Sequence, residues 1–170
     1  MNTSRMIARM ESFPGAVRAA CSGLTPEDAL YRADAKSWSI LEIVCHLADE
    51  EELDFPTRLE RTLNDPGAPW EPIDPEGWAV KRRHRDANLA EQLDRFASLR
   101  ARRIAWLRTL ENPDWSTTHQ HPKLGAMRAG DLMGAWGAHD ALHLRQISKR
   151  LYELALRDAK GYRTDYAGLW

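Results

Sequence analysis

The sequence has few cysteines, no long apolar run and almost no net charge, and each of these scarcities excludes a class of protein. Its 170 residues contain two cysteines, Cys21 and Cys45, which cannot form the framework of a disulfide-rich secreted domain. No stretch approaches the roughly 20 apolar residues that a membrane-spanning helix needs. The formal net charge is −1, so no overall field attracts nucleic acid or an acidic membrane.

What the sequence does contain is typical of one globular domain over residues 1–170. The hydrophobic fraction of 43% is enough for a sizeable core at this length. The opening MNTSRMIARMESF lacks the continuous apolar segment of a signal peptide, and the scarcity of cysteine suits a reducing compartment. We therefore expect a cytoplasmic protein with neither a nucleic-acid partner nor a membrane partner.

The apolar residues recur with helical spacing along nearly the whole chain. Pro14 is predicted to kink or divide the first helix, and Pro56 to bend the third. Long loops are expected over 65–80 and 113–129. Four long helices joined by such connections predict an all-α fold, a four-helix bundle with at least one crossover. The predicted helices span residues 4–20, 25–31, 39–63, 86–110 and 129–157.

Three histidines are the strongest functional signal. His139 and His143 are four residues apart, so on a helix they share one face, one turn apart. His46 occupies the apolar side of another predicted helix. Two imidazoles from one helix and one from a second can bind a divalent metal and leave a coordination position open for water or substrate. This pattern is typical of a catalytic metal.

Residues beside these histidines are candidates for supporting roles. Asp49 and Glu50 follow His46 by about one helical turn and could serve as catalytic bases, further metal ligands or hydrogen-bond partners of the ligands. Gln146 lies one turn beyond His143 and could bind substrate or orient a ligand. Trp70 and Trp78, in the predicted loop over 65–80, could enclose a substrate.

Other polar residues are expected at the surface. We interpret His84, His119 and His121 as loop residues, although the last two have a spacing that could bind metal. Glu51 and Glu52 complete a run of four acids and are expected on a solvated face. Cys45 points about 100° away from His46 on a helix and is expected in the core.

Two segments and a loop resemble the DinB-like superfamily, which includes YfiT-type metal-dependent hydrolases and thiol transferases. The segments are WSILEIVCHLAD at residues 38–49 and HDALHLRQI at 139–147, and the loop is HPKLG at 121–125. The resemblance implies a four-helix bundle of up-down-down-up topology with long crossover loops. It also implies homodimers and a nickel or zinc ion held by His46, His139 and His143.

Family members of known activity are mostly S-transferases that use a low-molecular-weight thiol as co-substrate. The leading hypothesis is therefore a divalent-metal-dependent enzyme acting on a small-molecule substrate, either a thiol-dependent S-transferase or a hydrolase. The alternative is a non-catalytic metal-binding or stress-related bundle whose coordination sphere is closed. A third possibility is a bundle without metal, in which the histidines are hydrogen-bonded core residues.

Overall fold

Four long helical segments and a small hairpin make up the computed structural model, which describes residues 1–168 and 170. Short 3-10 turns lie at His84–Asp86 and Asp165–Ala167. The helices are α1 (Thr3–Ala20), α2 (Pro26–Leu30), α3 (Ile40–Leu53), α4 (Phe55–Asn64), α5 (Pro75–Lys81), α6 (Leu89–Thr109) and α7 (Ala129–Asp158), and the strands are β1 (Thr118–His121) and β2 (Gly125–Arg128).

Side-chain caps explain where several helices begin. The Ser39 hydroxyl accepts a hydrogen bond from the Glu42 backbone N–H, and the Glu42 carboxylate accepts one from the Ser39 N–H. Thr25 and Asp28 form the same reciprocal pair at the start of α2. Such capping boxes satisfy N–H groups that have no partner within the helix. The box at Ser39 places the start of α3, at Ile40, six residues before His46.

The helices form a bundle of up-down-down-up topology. Helix α1 packs against α6 and α7, and α3 also packs against α6 and α7, so α1 and α3 face each other across the diagonal. Helices α3 and α6 run parallel, because Asp49 pairs with Arg95 and Glu51, further along α3, with Arg100. The predicted bundle topology is confirmed.

The core of the described residues consists of three clusters of buried side chains. Its two larger clusters of buried side chains lie towards opposite ends, and Trp136 belongs to the second. Helix α3 is central: α2, α4, α5, α6 and α7 all contact it. This central position buries every residue from Ser39 to Glu51, including acids that an ordinary amphipathic helix would expose.

The predicted helix over 39–63 is divided rather than bent. The backbone leaves helical geometry at Asp54, with φ −118° and ψ −96°, and α4 starts at Phe55. Pro56 explains the break, since proline has no N–H to donate and its ring clashes with the carbonyl four residues earlier. In contrast, Pro14 lies inside α1, which remains one helix between buried Met10 and Val17.

Two predicted loops contain regular structure. Residues 113–129 include the antiparallel hairpin of β1 and β2, which pairs Thr118 with Arg128 and turns through Gly125 at φ +75°. Residues 65–80 include α5, capped by Asp74 and with Pro75 at its first position. Among the described residues, no helix has the length and apolarity needed to cross a membrane.

Candidate metal centre

The three predicted histidines meet where α3 passes α7. The His46 Nε2 atom lies 3.1 Å from the Nε2 of His143 and 3.3 Å from that of His139. The Nε2 atoms of His139 and His143 are 2.8 Å apart. All three ring nitrogens therefore point towards one point between the helices, and we call these residues the histidine trio.

Burial keeps the histidine trio neutral. His46 and His143 are 5% and 7% exposed, and His139 is half-buried. Desolvation, with a smaller contribution from the neighbouring His143, lowers the pKa of His46 to about 3. Desolvation followed by the other two imidazoles lowers the pKa of His139 to about 2. Neutral imidazole is the form that binds a metal.

One hydrogen bond and one longer contact on the far side of two of the rings support this orientation. The His143 Nδ1 atom is 2.7 Å from the Gln146 Oε1 atom, which can only accept, so we assign the proton to Nδ1 and the lone pair to Nε2. The His46 Nδ1 atom faces Glu50, with 3.5 Å to its Oε1 atom. Such outer partners orient ligands and set their tautomers.

The donor set fits a divalent transition metal. Zinc–imidazole bonds of about 2.0–2.1 Å in tetrahedral geometry separate the ligand nitrogens by about 3.3 Å. The three observed separations lie near that value, and three nitrogen donors leave a fourth position open. Imidazole ligands suit zinc and nickel alike, so the geometry does not select between them.

Aromatic side chains flank the histidine trio. The Trp38 ring centroid is 4.8 Å from that of His46, and the Phe55 centroid is 5.1 Å from that of His139. These rings shield the imidazoles from solvent on two sides. Trp38 precedes the cap of α3 and Phe55 follows the break at Asp54. The aromatic residues that flank the trio therefore lie just beyond the two ends of α3.

The structure places Asp49 away from the trio. Its Oδ1 atom accepts hydrogen bonds of 2.8 Å from Arg82 and Arg95, and its Oδ2 atom lies 2.9 Å from the His84 Nε2 atom. Burial alone would raise the pKa of Asp49, but these partners hold it below its ordinary value. Both carboxylate oxygens are therefore engaged in holding α3 against α6 and the chain that precedes it.

Glu50 is the acid that lies beside a trio ring. Its carboxyl group is buried next to that of Asp54, and desolvation followed by the Asp54 charge raises the pKa of Glu50. It faces the Nδ1 side of His46, opposite the convergence of the Nε2 atoms. The position of Glu50 fits its predicted role as an outer partner of the ligand His46.

The two tryptophans differ in position. Trp70 stacks on His119, with ring centroids 4.2 Å apart, and lines a separate cavity of about 680 Å³ with His121. Among the described contacts of its ring, none involves the trio. Trp78 lies half-buried on α5, which packs against α3.

Several buried polar residues contradict the surface expectation. His84 and His119 are 4% and 5% exposed, the first bonded to Asp49 and the second stacked on Trp70. Glu51 is 1% exposed and accepts hydrogen bonds from Arg100 and Trp136, whereas Glu52 is exposed as expected. Only the tertiary partners, distant in sequence, explain these positions.

Gln146 gives a test of the outer hydrogen bond. The Gln146→Leu variant should bind zinc roughly tenfold more weakly, because His143 loses the acceptor that fixes its tautomer. Competition with a chromogenic chelator measures the affinity, and Arg145→Leu, on the exposed neighbouring position, is the matched control. Equal affinities for the two variants would show that the Gln146 contact does not orient the ligand.

Comparisons with known proteins agree with this geometry. A family model described as the DinB superfamily matches residues 9–147. A protein of Oceanobacillus iheyensis, named as a candidate metal-dependent hydrolase, is 29% identical over 128 residues, which cover 72% of this chain and 71% of that protein.

A solved structure is similar as well. YfiT from Bacillus subtilis, described as a probable metal-dependent hydrolase with an unusual four-helix bundle topology, matches with a TM-score of 0.80. The match covers 90% of this chain and 87% of YfiT at 20% sequence identity. At that identity the likeness shows a shared fold.

Proposed function

This chain belongs to the DinB superfamily, and we propose that it is a divalent-metal-dependent enzyme that joins a small nucleophile to a small-molecule substrate. The observation that carries the proposal is the convergence of three neutral imidazole Nε2 atoms within 3.3 Å of one another. Buried nitrogens of this kind are costly without a partner, and a metal is the partner that satisfies all three together.

His46, His139 and His143 would hold the ion, with nickel or zinc as the proposed metals. A divalent cation would supply Lewis acidity there. This would lower the pKa of a bound thiol or water molecule towards neutral pH. Since all three ligands are neutral, they leave the positive charge of the ion undiminished. Gln146 orients His143, and the rings of Trp38 and Phe55 exclude water from two sides.

Thiol transfer is the reaction that we propose first, with a low-molecular-weight thiol as co-substrate. Both oxygens of Asp49 are occupied, and Glu50 lies on the outer side of His46, so neither is placed as a base at the Nε2 convergence. A thiol has an ordinary pKa of about 8.5 and needs little help to ionise. A C–S bond forms, the leaving group departs with its electron pair, and the thiol proton passes to solvent.

Hydrolysis is the second candidate, with water in place of the thiol. The names of the Oceanobacillus iheyensis protein and of YfiT both describe metal-dependent hydrolases, and this supports it. The non-catalytic alternative requires a closed coordination sphere. Glu50, the carboxylate beside the trio, contacts the Nδ1 side of His46, so it does not fill a position between the Nε2 atoms.

Paired assays distinguish these candidates. Protein stripped with chelator and reloaded with zinc or nickel is given cysteine and a fluorogenic alkyl halide, and separately p-nitrophenyl acetate in water. For a thiol transferase, reloading should accelerate thioether formation on the order of 100-fold over stripped protein. Acceleration of ester cleavage alone would favour the hydrolase, and metal binding with neither activity would favour the non-catalytic protein. Cytoplasmic location and a homodimer remain predictions.

A further inference from the structure

Arg150 is a buried cation that the proposed reaction has not used. It lies seven residues after His143, so it shares that face of α7 two turns further on. The residue is 8% exposed, and its Nη2 atom donates to Glu153 at 3.1 Å. Its Nη1 atom is buried, and within the described part of the chain it has no hydrogen-bond partner.

A cavity lies beside Arg150 and is lined by two residues that contact the histidine trio. It has a volume of about 380 Å³, and Gln146, Trp38 and Lys36 line it together with Arg150. Gln146 contacts the Nδ1 side of His143 and Trp38 contacts the ring of His46, so one side chain separates the cavity from each of these two trio rings. A molecule in the cavity would therefore lie against a fixed positive charge, with Gln146 and Trp38 between it and the histidine trio.

The charges around the cavity leave Arg150 available to a ligand. Two basic residues, Lys36 and Arg150, line the cavity. The acidic residue that lines it is Glu76, which is exposed. Glu153 faces Arg150 from the same helix; its Oε1 atom contacts both Arg150 and Lys149, at 3.1 and 3.8 Å, and its Oε2 atom has no hydrogen-bond partner among the described residues. Asp34, the other nearby acid, is bonded to the Ser37 hydroxyl.

The other arginines near the cavity are already paired. A larger adjoining cavity of about 840 Å³ shares Lys36, Trp38 and Glu76 with the first one. There Arg32 and Arg85 both pair with Glu42, and Arg83 pairs with Asp86. Arg150 differs from them because it keeps a buried donor without an acceptor. A native structure rarely leaves a buried donor without a hydrogen-bond partner, and a bound anion would supply one.

We propose that Arg150 binds an oxyanion of the substrate, a carboxylate or a phosphate ester, while the reacting end lies at the histidine trio. The guanidinium fork matches either group through two parallel hydrogen bonds. Seven residues of helix rise about 10 Å, so the substrate is an elongated anion with its charge remote from the reacting atom. This inference rests on the proposed function for the reacting end, but anion binding at Arg150 is measurable without metal.

Nuclear magnetic resonance titration tests the proposal on the full chain, both stripped and reloaded with zinc. Adipate probes the carboxylate and glycerol phosphate probes the phosphate ester, and the guanidinium resonances of Arg150 report contact. We expect saturable shifts in both forms of the protein. In Arg150→Met the dissociation constant should rise roughly tenfold or more, since a charge-assisted pair is lost.

Arg145→Met is the matched control, because it removes the same charge from an exposed position on the same helix that neither lines this cavity nor pairs with Glu153. Its dissociation constants should stay within about twofold of wild type. Arg150→Lys keeps the positive charge but loses the two parallel donors of the guanidinium group, so it should bind the probes with intermediate affinity. This variant also tests the subsite if Arg150→Met does not fold. Equal binding by wild type and both Arg150 variants would overturn the subsite.

The two stages of the experiment separate the two proposals. Loss of zinc binding with intact, Arg150-dependent anion binding would refute the metal centre and leave the subsite standing. Stoichiometric zinc with no Arg150-dependent binding of either probe would refute the subsite and leave the metal centre standing. The better of the two probes decides whether the oxyanion is a carboxylate or a phosphate.

Discussion

His143→Ala is expected to abolish stoichiometric metal binding. Wild-type protein purified without a histidine tag or chelator should carry nearly one nickel or zinc ion per chain, and the variant less than about one tenth of that. The reason is geometric. The Nε2 atom of His143 lies 3.1 Å from that of His46 and 2.8 Å from that of His139, so an ion bound by the other two histidines would also contact His143. Elemental analysis of the purified proteins measures the content.

His46→Ala should have the same effect, although His46 lies on a different helix. Loss in both variants would show that α3 and α7 bind one ion together, as the convergence of their Nε2 atoms indicates. His121→Ala is the control, because its Nδ1 atom accepts hydrogen bonds from Lys123 and Leu124 in the hairpin turn. Metal retained by His143→Ala, or lost equally from His121→Ala, would contradict the trio as the site.

The loss of metal should also lower stability. An ion that binds the folded protein and not the unfolded chain stabilises it by mass action, by about 2.7 kcal/mol when the free metal is at 100 times the dissociation constant. The metal-loaded wild type should therefore unfold at a higher temperature than its stripped form, whereas stripping should not change the melting temperature of His143→Ala. This difference separates a bound ion from a surface contaminant.

Local signals explain why much of the bundle could be predicted. The capping boxes at Thr25 and Ser39 are readable in sequence because both partners lie within four residues. The pair His139 and His143 is local in the same way. The meeting of that pair with His46 is not, since 93 residues separate His46 from His139. Its prediction rests on the apolar position of His46 on its own helix and on the family resemblance, and the fold brings the rings together.

Long-range partners explain what the sequence did not reveal. Glu51 was expected in solvent because it stands in an acidic run, yet Arg100, 49 residues later, accounts for its burial. His84 was expected on a loop surface, yet Asp49 holds it inside. A charge pattern within one helix cannot show which arginine of another helix will face it. The sequence gives no signal for Arg150 for the same reason, because only the cavity beside it indicates a binding role.

The Arg100 guanidinium is the centre of the buried charge network that positions the candidate metal helices. It donates two hydrogen bonds to Asp140, at 2.7 and 2.8 Å, and one of 2.8 Å to Glu51. A further bond reaches the backbone carbonyl of Met10. Asp140 follows His139 in sequence and Glu51 follows Glu50, so this one side chain ties α1, α3, α6 and α7 together beside the histidine trio.

Arg100→Met should lower the free energy of unfolding by about 3–5 kcal/mol, because it leaves two buried carboxyl groups without their cation. Denaturant titration measures the loss. Arg108→Met, further along α6, is the matched control: Arg108 pairs with Glu11 in full contact with solvent, and no measurable change is expected. Equal stability of Arg100→Met and wild type would mean that the network contributes nothing net to folding.

The pH dependence identifies the cause of that loss. Burial already raises the pKa of Glu51 and of Asp140, against the opposing effect of Arg100. Without Arg100 both pKa values rise further above their unfolded values, so the folded variant binds protons that the unfolded chain releases. Its stability is therefore greatest at acid pH and falls as pH rises through the folded pKa values. The deficit relative to wild type should be larger at about pH 8 than at about pH 5, whereas a deficit from lost packing alone would be independent of pH.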